Sequence, residues 1–335
     1  MTNQRIRIGL IGTGRIGQVH AASIADSKTF ELTYTADVFV AGAEKIANEY
    51  GGKFTNDPEV LLNSGEVDAI LIASPTPTHV DLIRRGIQLG LHVLCEKPID
   101  LDIARVDELR AEAAAAKTVI ALGFNRRFDP NFASVQARVA AGELGKLEQL
   151  IIISRDPAPA PQEYIAVSGG IFRDMTIHDF DMARFFIPNI VEVSAIGTNS
   201  FCDYIKAEND FDNVTVTLRG SQDEIVTIVN SRHASFGYDQ RIEAFGEKGM
   251  LVASNVQANT VKSYTADSVE VSEPYPNFFL ERYADAYRRE LHDFGQSITS
   301  GNVTNPTYED GRAALVLANA ALESATTGRA VKVSL

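Results

Sequence analysis

A polar stretch between Gly169 and Asp181 contains the side chains best suited to moving a proton. Asp174 and His178 stand four residues apart, so on a helix they share one face, and Asp181 lies three residues further on. A carboxylate beside an imidazole orients the ring and raises its basicity, and histidine titrates near neutral pH. The spacing therefore predicts a site that removes a hydroxyl proton. The competing interpretation is an exposed helix N-terminus whose acidic residues complement the helix dipole.

A lysine at the end of an apolar run is a second candidate for chemistry. Lys97 belongs to the tripeptide Glu96-Lys97-Pro98, which follows a strand-like segment. Its ammonium group would hydrogen-bond a substrate hydroxyl and stabilise the alkoxide that develops as hydride leaves, with Glu96 tuning the lysine. A solvated loop lysine remains the alternative.

Three glycines indicate how a cofactor would be held. The sequence Gly12-Thr13-Gly14-Arg15-Ile16-Gly17 follows the first strand-like run and opens a helical pattern. Gly12 allows a tight turn, Gly14 lets a pyrophosphate approach the backbone, and Gly17 lets the helix pack on the strand. The motif predicts a dinucleotide site that includes Arg15 and Ile16, against the alternative of a purely structural glycine turn.

Asp37 suggests which dinucleotide is bound. It ends the second strand-like run, 20 residues beyond Gly17, where a carboxylate accepts hydrogen bonds from the adenosine ribose. The same charge repels a 2′-phosphate, and no arginine follows in Val38-Phe39-Val40 to hold one. NAD is therefore predicted over NADP, and an ordinary turn carboxylate is the alternative.

A proline-stiffened loop follows a third strand-like run. Its sequence is Ser74-Pro75-Thr76-Pro77-Thr78-His79, and it lies at the carboxyl edge, where open α/β sheets bind ligands. We expect Ser74, Thr76 and His79 to contact the nicotinamide side of the cofactor. A rigid turn with Thr78 as helix N-cap is an equally weighted interpretation, and both can hold together.

The elements that must position these residues change character near Asn125. Before it, strands and helices alternate, which predicts a doubly wound parallel sheet of Rossmann type. The predicted strands are Ile6–Ile11, Leu32–Asp37, Ala69–Ala73, His92–Cys95 and Val119–Gly123, and the predicted helices are Gly17–Ala25, Ala41–Tyr50, His79–Leu89 and Ile103–Ala116.

After Asn125 most strands follow one another without crossover helices, which predicts an α+β domain with a large, mostly antiparallel open sheet. The predicted strands are Gln149–Ser154, Val191–Gly197, Asn213–Leu218, Ile225–Ser231, Gln240–Phe245 and Thr260–Tyr264, and the helices are Pro130–Ala141, Asp174–Phe186, Phe278–Thr299 and Thr307–Thr326. We expect an NAD-binding domain over residues 1–124 and a substrate-binding and oligomerisation domain over 125–335. The sequence does not indicate on which of the two domains the last two helices pack.

Composition excludes several other classes of protein. The 335 residues carry a net charge of −13 without a basic cluster, which argues against nucleic acid, and no apolar run is long enough for a membrane span. The opening residues leave no room for a signal peptide, and Cys95 and Cys202 form no pairwise motif, so a cytoplasmic location is expected. No metal is expected, because His233 and His292 are merely available as third ligands and no spacing indicates them.

Four motifs taken in order resemble the Gfo/Idh/MocA oxidoreductases over essentially the whole chain. They are the glycine motif, Glu96-Lys97-Pro98, Asn125-Arg126-Arg127-Phe128, and the stretch from Gly169 to Asp181. The sequence is most similar to the inositol 2-dehydrogenase branch of that family. The resemblance implies NAD-dependent oxidation of a secondary hydroxyl of a cyclic polyol or sugar, first of all myo-inositol to 2-keto-myo-inositol (scyllo-inosose). It also implies a homo-oligomer, either a dimer or a tetramer.

The resemblance also implies roles for individual residues. His178 would be the base, Asp174 its orienting partner, and Lys97 the hydrogen-bonding group on the reacting oxygen. The further substrate contacts implied are Arg127, Asp181, Tyr238 and Tyr283. One departure is visible: Ser154-Arg155-Asp156 stands where inositol-using relatives often carry a histidine just before the arginine position, which leaves the polyol open.

Three alternatives are distinguishable by experiment. A glycosidase of the same architecture would retain its NAD and use transient oxidation to drive elimination. A dehydrogenase for another inositol isomer or an aldose would share every motif. A non-catalytic nicotinamide sensor would be expected to have lost the base or the lysine, and this chain has kept both His178 and Lys97.

Overall fold

The computed structural model describes residues 5–335, and within them the chain divides into two compact units. Unit 1 contains the described residues up to Phe128 together with Asp285–Ala313. Unit 2 contains Asp129–Ala284 and Ala314–Leu335. Each unit is built around a sheet of its own.

Unit 1 has a six-stranded sheet within the described residues, and all of its pairings are parallel. The strands are β1 Ile6–Ile11, β2 Phe30–Ala36, β3 Lys53–Thr55, β4 Ala69–Ile72, β5 His92–Glu96 and β6 Ile120–Gly123. The helices are α1 Arg15–Asp26, α2 Val40–Tyr50, α3 Pro58–Leu62, α4 His79–Leu89 and α5 Ile103–Ala115. The strand order is β3-β2-β1-β4-β5-β6, so the order reverses direction between β1 and β4. This confirms the predicted doubly wound parallel sheet.

Apolar residues on both faces of the central strands explain this arrangement. Ile8 and Leu10 of β1 lie on one face and Ile70 and Ile72 of β4 on the other, and all four are completely buried, as expected for a parallel sheet covered by helices on both sides. Local signals set the helix ends: the Asp102 side chain caps α5, and Gly90 ends α4 in the left-handed conformation. The short elements β3 and α3 were not predicted, because neither carries a periodic apolar pattern of useful length.

Unit 2 is built on a seven-stranded sheet within the described residues, in the order β12-β11-β7-β10-β9-β8-β15. The strands are β7 Leu147–Arg155, β8 Ile190–Thr198, β9 Asn213–Gly220, β10 Ile225–Ser231, β11 Asp239–Gly246, β12 Gly249–Ala253 and β15 Val331–Lys332, and a separate hairpin joins β13 Lys262–Ser263 to β14 Val271–Ser272. Among the described strands of this seven-stranded sheet, only β7 and β10 pair in parallel; the other ladders of the sheet are antiparallel. The predicted mostly antiparallel sheet is confirmed.

The helices of the second half of the chain differ more from the prediction. They are α6 Pro130–Ala140, α7 Gln162–Ser168, α8 Ile171–Asp174, α9 Ile177–Phe186, α10 Asp203–Ala207, α11 Phe279–Arg282, α12 Ala284–Ser300 and α13 Tyr308–Thr327. The prediction of a single helix over Phe278–Thr299 is wrong, because the helical pattern is interrupted at Tyr283, between α11 and α12. The strand predicted over Thr260–Tyr264 shrinks to the two residues of β13.

Candidate cofactor and catalytic residues

The three glycines of unit 1 meet three different steric demands. Gly12 has φ +99°, and a Cβ there would lie 2.4 Å from the backbone nitrogen of Ser74. A Cβ on Gly17 would lie 2.1 Å from the carbonyl oxygen of Gly12. Gly14 has no atom within 4 Å of its missing Cβ, so the space beside it is open. Gly12 and Gly17 therefore shape the loop, whereas Gly14 leaves room for a ligand.

Helix α1 begins at this open space. Gly14 is its N-cap and has no side chain to cap the helix, and the N-terminus of a helix favours an anion. The loop also follows β1, beside the point where the strand order reverses, which is where open α/β sheets bind ligands. These features fit the pyrophosphate of a dinucleotide, as the glycine motif predicts.

Asp37 follows β2 and binds the glycine loop directly. Its Oδ2 accepts hydrogen bonds of 2.7 Å from both the backbone N–H and the hydroxyl of Thr13, and its Oδ1 accepts one of 2.8 Å from the backbone N–H of Phe39. Asp37 therefore acts as a turn carboxylate, which was the alternative interpretation of this residue. Carboxylate oxygens offer about four lone-pair positions, so these three bonds leave capacity for a ribose hydroxyl.

His79 joins two loops at the carboxyl edge of the sheet. Its Nδ1 lies 2.8 Å from the carbonyl oxygen of Pro98, and its Nε2 lies 2.8 Å from the carbonyl oxygen of Ser74. Burial lowers the pKa of His79, although the two carbonyls and the charges of Glu96 and Asp100 act in the opposite direction. The residue is 1 % exposed and its imidazole ties the two loops together, and the predicted cofactor contact of His79 stays a prediction.

The other polar residues of that loop bond to each other. The Ser74 and Thr78 hydroxyls lie 2.6 Å apart, and the Thr78 hydroxyl donates to the carbonyl oxygen of Pro75 at 2.8 Å. Thr76 begins a single 3₁₀ turn that ends at Thr78. Thr78 stands at the N-cap position of α4, as predicted, but its side chain makes no capping hydrogen bond, because the hydroxyl bonds within the turn instead.

Glu96 is held by a histidine that the motifs did not single out. Its Oε1 lies 2.7 Å from Nε2 of His20, whose side chain is 1 % exposed and packs edge-on against Tyr287. On the other side, a Cβ on Gly123 would come within 3.0 Å of the Glu96 carboxyl group. The backbone of Glu96 is thereby fixed, and Lys97, which is half-buried, follows it directly.

Arg127 pairs with an acidic side chain of the same unit. It lies in a short 3₁₀ segment, Asn125–Phe128, and its Nη2 is 3.2 Å from Oδ1 of Asp310. Only 13 % of its side chain is exposed. The predicted substrate contact by Arg127 stays a prediction.

Asp174 and His178 of unit 2 lie on two short helices instead of one. Asp174 ends α8, and His178 is the second residue of α9. The backbone N–H of Thr176 reaches back five residues to Ile171, and that of His178 reaches back only three to Met175. The expectation of a continuous helix across this segment is wrong, because the Met175–Thr176 turn interrupts the regular hydrogen-bond pattern.

Charged and phenolic groups surround Asp174. Its Oδ1 accepts a hydrogen bond of 2.8 Å from the Tyr164 hydroxyl, and its Oδ2 accepts one of 3.4 Å from Arg232. Arg232 also donates to Asp210 at 3.2 Å. Burial works against the charge on Arg232, but the carboxylates of Asp174, Asp210 and Asp156 outweigh it and raise the pKa of the guanidinium.

Helix α9 is anchored to the sheet of unit 2 by a buried carboxylate. Asp179 is completely buried and accepts hydrogen bonds of 2.7 Å from the Ser154 hydroxyl and 2.8 Å from the side-chain amide of Asn230. Those partners stand on β7 and β10, which are adjacent parallel strands. Ser154 belongs to the segment in which this sequence differs from inositol-using relatives. It is thus a structural partner of Asp179, the residue after His178. Asp181 is 1 % exposed on the same helix.

The two predicted tyrosines of unit 2 are neighbours. The rings of Tyr238 and Tyr283 meet edge to face with centroids 6.0 Å apart, and the Tyr283 hydroxyl donates to Gln240 at 3.1 Å. Tyr283 is 1 % exposed and has the Arg282 guanidinium 4.8 Å from its ring centre. Their predicted contact with substrate stays a prediction.

Sequence reasoning gave no role to several residues that hold the candidate site residues in place. They are His20, Tyr164, Ser154, Asp179, Asp210, Asn230 and Arg232, and each has a partner at least ten residues away along the chain. Asp179 lies inside the stretch from Gly169 to Asp181, and His20 lies three residues after Gly17, so these two could have been found from their motifs. Among residues 5–335 no group of three or more His, Cys, Asp or Glu is arranged to hold a metal ion, and no helix there is long and apolar enough to cross a membrane.

Two family models match this chain. Residues 6–124 match the model described as "Oxidoreductase family, NAD-binding Rossmann fold", and residues 132–252 match the "GFO/IDH/MocA C-terminal domain". Together they cover more than half of the chain. The first match confirms the NAD-binding domain predicted from the glycine motif.

Similar proteins are inositol dehydrogenases by name. An inositol 2-dehydrogenase of Rhizobium meliloti is 41% identical over 98% of this chain and 99% of its own length. A myo-inositol 2-dehydrogenase of Thermotoga maritima is 42% identical over 98% of each chain. The crystal structure of a myo-inositol dehydrogenase from Corynebacterium glutamicum superposes with a TM-score of 0.96 at 55% identity, covering 99% of this chain and 100% of that one.

Proposed function

Since this chain belongs to the Gfo/Idh/MocA oxidoreductase family, we propose that it oxidises myo-inositol to 2-keto-myo-inositol with NAD as the hydride acceptor. The observation that carries the proposal is the similarity to two inositol 2-dehydrogenases at 41% and 42% identity over 98% of the chain. The chain is an NAD-dependent oxidoreductase acting on a CH–OH group, as predicted from the motifs.

The residues of unit 1 fit the cofactor. Open space beside Gly14 and the uncapped N-terminus of α1 suit a pyrophosphate, and the spare lone-pair capacity of Asp37 suits an adenosine ribose. The remaining proposed contacts follow the sequence prediction: Arg15, Ile16, Ser74, Thr76, His79, Glu96 and Lys97. NAD, when bound, takes up hydride from the carbinol carbon.

We assign the proton steps to three side chains. His178 takes the proton of the reacting hydroxyl as the C–H bond of the carbinol carbon breaks. A neutral imidazole is the form that can accept this proton. Asp174 stabilises the resulting imidazolium and orients the ring. Lys97 donates a hydrogen bond to the same oxygen, which favours the developing alkoxide and then the ketone. Arg127, Asp181, Tyr238 and Tyr283 are the proposed contacts for the other hydroxyls.

A substrate panel tests this proposal. The purified chain is incubated with NAD or NADP and with myo-inositol, scyllo-inositol, other inositol isomers and common aldoses, and NADH or NADPH absorbance is followed. We expect the highest kcat/KM with myo-inositol and NAD. No reduction across the panel would overturn the dehydrogenase proposal. Cofactor that never exchanges, together with release of a nitrophenyl leaving group from a glycoside, would favour the NAD-retaining glycosidase instead.

We propose that the outer face of the unit 2 sheet forms the homo-oligomer interface. Burial alternates along β7 and β10, and the outward positions Ile151, Ile153 and Val229 are only partly covered within this chain. Ile153 pairs with Val229 in the ladder, so apolar side chains continue from strand to strand. A single chain that leaves such a band uncovered is typical of a subunit of an assembly.

Light scattering after size exclusion tests the interface. We expect a dimer or tetramer for the unmodified chain and a smaller species for Val229→Lys, because a charge cannot be buried there unpaired. Val60→Lys, on the exposed side of α3 in unit 1, is the matched control and should keep the original mass. An unmodified chain that runs as a monomer at micromolar concentration would refute the proposal.

The proposed compartment is the cytoplasm. Cys95 and Cys202 are both buried and free, which suits a reducing environment. Fractionation of cells that express the native gene would test this, and recovery with a periplasmic or secreted marker would contradict it.

A further inference from the structure

We infer that Tyr164 is a positioning residue for Asp174: its phenol fixes the carboxylate that orients the catalytic histidine. The inference rests on the proposed function, in which Asp174 acts on His178. Tyr164 lies on α7, in a stretch where the sequence predicts no helix and no site.

The two contacts of Asp174 differ in length. The Tyr164 hydroxyl donates to Oδ1 at 2.8 Å, a normal distance for an O–H donor, whereas Arg232 reaches Oδ2 at 3.4 Å. The phenol is therefore the closer of these two anchors. A carboxylate oxygen can accept two hydrogen bonds, so neither contact by itself prevents the carboxylate from serving another partner.

The phenol is suited to act as a permanent donor. Burial and the neighbouring Asp174 carboxylate raise the pKa of Tyr164 far above its usual value. The hydroxyl therefore keeps its proton throughout the working pH range of such an enzyme. The residue as a whole is 47 % exposed.

Helix α7 holds Tyr164 in place through a small apolar cluster. Ile165, the next residue, is buried with Cys202 and Ile205, the latter from α10, and Tyr204 packs against them. The Tyr204 hydroxyl donates to the carbonyl oxygen of Ala160 at 2.8 Å, just before α7 begins. This cluster does not use Asp174, so the position of α7 is set independently of the carboxylate that Tyr164 binds.

Residue Asp210 closes the arrangement on the opposite side. It accepts a hydrogen bond of 2.8 Å from the backbone N–H of Ile171, the first residue of α8, and another of 3.2 Å from Arg232. A Cβ on Gly170 would lie 3.0 Å from its Oδ1, so only glycine fits there without a shift. Asp174 is thus approached from two directions, by Tyr164 from α7 and by Arg232, which Asp210 holds.

The test is Tyr164→Phe, with Tyr264→Phe as the matched control. Both remove a tyrosine hydroxyl of unit 2 that donates to a carboxylate, but only the first hydroxyl touches Asp174. We expect Tyr164→Phe to lower kcat on the order of ten-fold, with the KM for NAD unchanged, because a loosened partner misplaces the base. Tyr264→Phe should keep kcat. Equal kcat values for Tyr164→Phe and the unmodified enzyme would overturn the inference.

An activity-free measurement distinguishes this inference from the proposed function. The free energy of unfolding is measured by urea titration for the unmodified chain, Tyr164→Phe, Asp174→Ala and the double variant. We expect the two changes to be non-additive, because each of them removes the same hydrogen bond. Additive effects would refute the contact itself. Non-additive effects together with an Asp174→Ala enzyme that retains full kcat would instead refute the catalytic role of Asp174.

Discussion

The glycine loop of unit 1 is shaped by backbone sterics, whereas the surroundings of Asp174 in unit 2 are shaped by charged and phenolic side chains. In the loop, Gly12 and Gly17 matter because a Cβ would collide with backbone atoms. Around Asp174, the contacts come from Tyr164 and Arg232, 10 and 58 residues away in the chain. A site that depends on backbone shape can be predicted from residues close together in the sequence. A site that depends on side chains from distant positions cannot.

The same contrast separates what each region can tolerate. A substitution in the loop acts first on the fold of unit 1, because turn geometry and strand contact are the same feature there. A substitution near Asp174 acts first on charge and orientation, while the sheet beneath remains supported by its own apolar core. Variants in the two regions should therefore differ in whether stability or catalysis is lost first.

The largest expected effect comes from removing the proposed base. His178→Ala should lower kcat by about 10²- to 10⁴-fold, the usual contribution of a general base, while NAD affinity measured by calorimetry stays unchanged. His292→Ala, an exposed histidine on α12, is the control and should behave as the unmodified enzyme. Loss of NAD binding in His178→Ala would show that the two regions are not separable in this way.

The next effect distinguishes two glycines of one motif. Gly12→Ala should reduce the free energy of unfolding by about 3 kcal/mol, because φ +99° is strained for alanine and its Cβ meets the backbone of Ser74. Gly14→Ala has open space and φ −61°, so its stability should be close to normal and only its NAD affinity should fall. Urea titrations and calorimetry on both variants measure this, and equal destabilisation would contradict it.

Cofactor preference gives a smaller effect. Asp37→Ser removes the charge that repels a 2′-phosphate, so the ratio of kcat/KM for NAD over NADP should fall by about ten-fold, or ~1.4 kcal/mol. Because Asp37 also binds Thr13, NAD affinity should weaken at the same time. Asp57→Ser, at the N-cap of α3, is a control for loss of a charged cap in unit 1. An unchanged NAD/NADP ratio would show that Asp37 does not select the cofactor.

The smallest expected effect is a pH dependence within unit 1. Burial holds the pKa of His79 below its unfolded value of about 6.5, so between these values the unfolded chain binds more protons than the folded one. The contribution of neutral His79 to the free energy of unfolding is therefore complete above about pH 6.5, and it is lost as the pH falls through the pKa of the folded state. His92, half-buried and lowered in the same direction, adds to it.

Thermal unfolding between pH 5 and 8 measures this effect. We expect the midpoint of the unmodified chain to fall on acidification more steeply than that of His79→Gln, in which the titrating group is absent. A variant with the same slope as the unmodified chain would assign the acid sensitivity to other groups.

Sequence alone determined the alternation of strands and helices in unit 1, since completely buried strands such as β1 and β4 read as continuous apolar runs between turn residues. It also determined the cofactor, because the glycine motif and Asp37 act through positions close in the chain. Strand β10 was predicted at its observed bounds, Ile225–Ser231, from a strand-like run in the sequence. Unit 2 was less predictable where elements are short, as with α7 and β15, because a few residues carry no measurable periodicity.

Only the tertiary structure decided which partners surround the proposed catalytic residues. It interrupted the helix between Asp174 and His178, placed Tyr164 on Asp174, and seated Asp179 on Ser154 and Asn230. The physical reason is that hydrogen bonds and ion pairs act over about 3 Å in space, whatever the separation along the chain. The identity and spacing of residues therefore indicated the kind of chemistry. The folded chain decided which side chains hold the proposed catalytic residues in place.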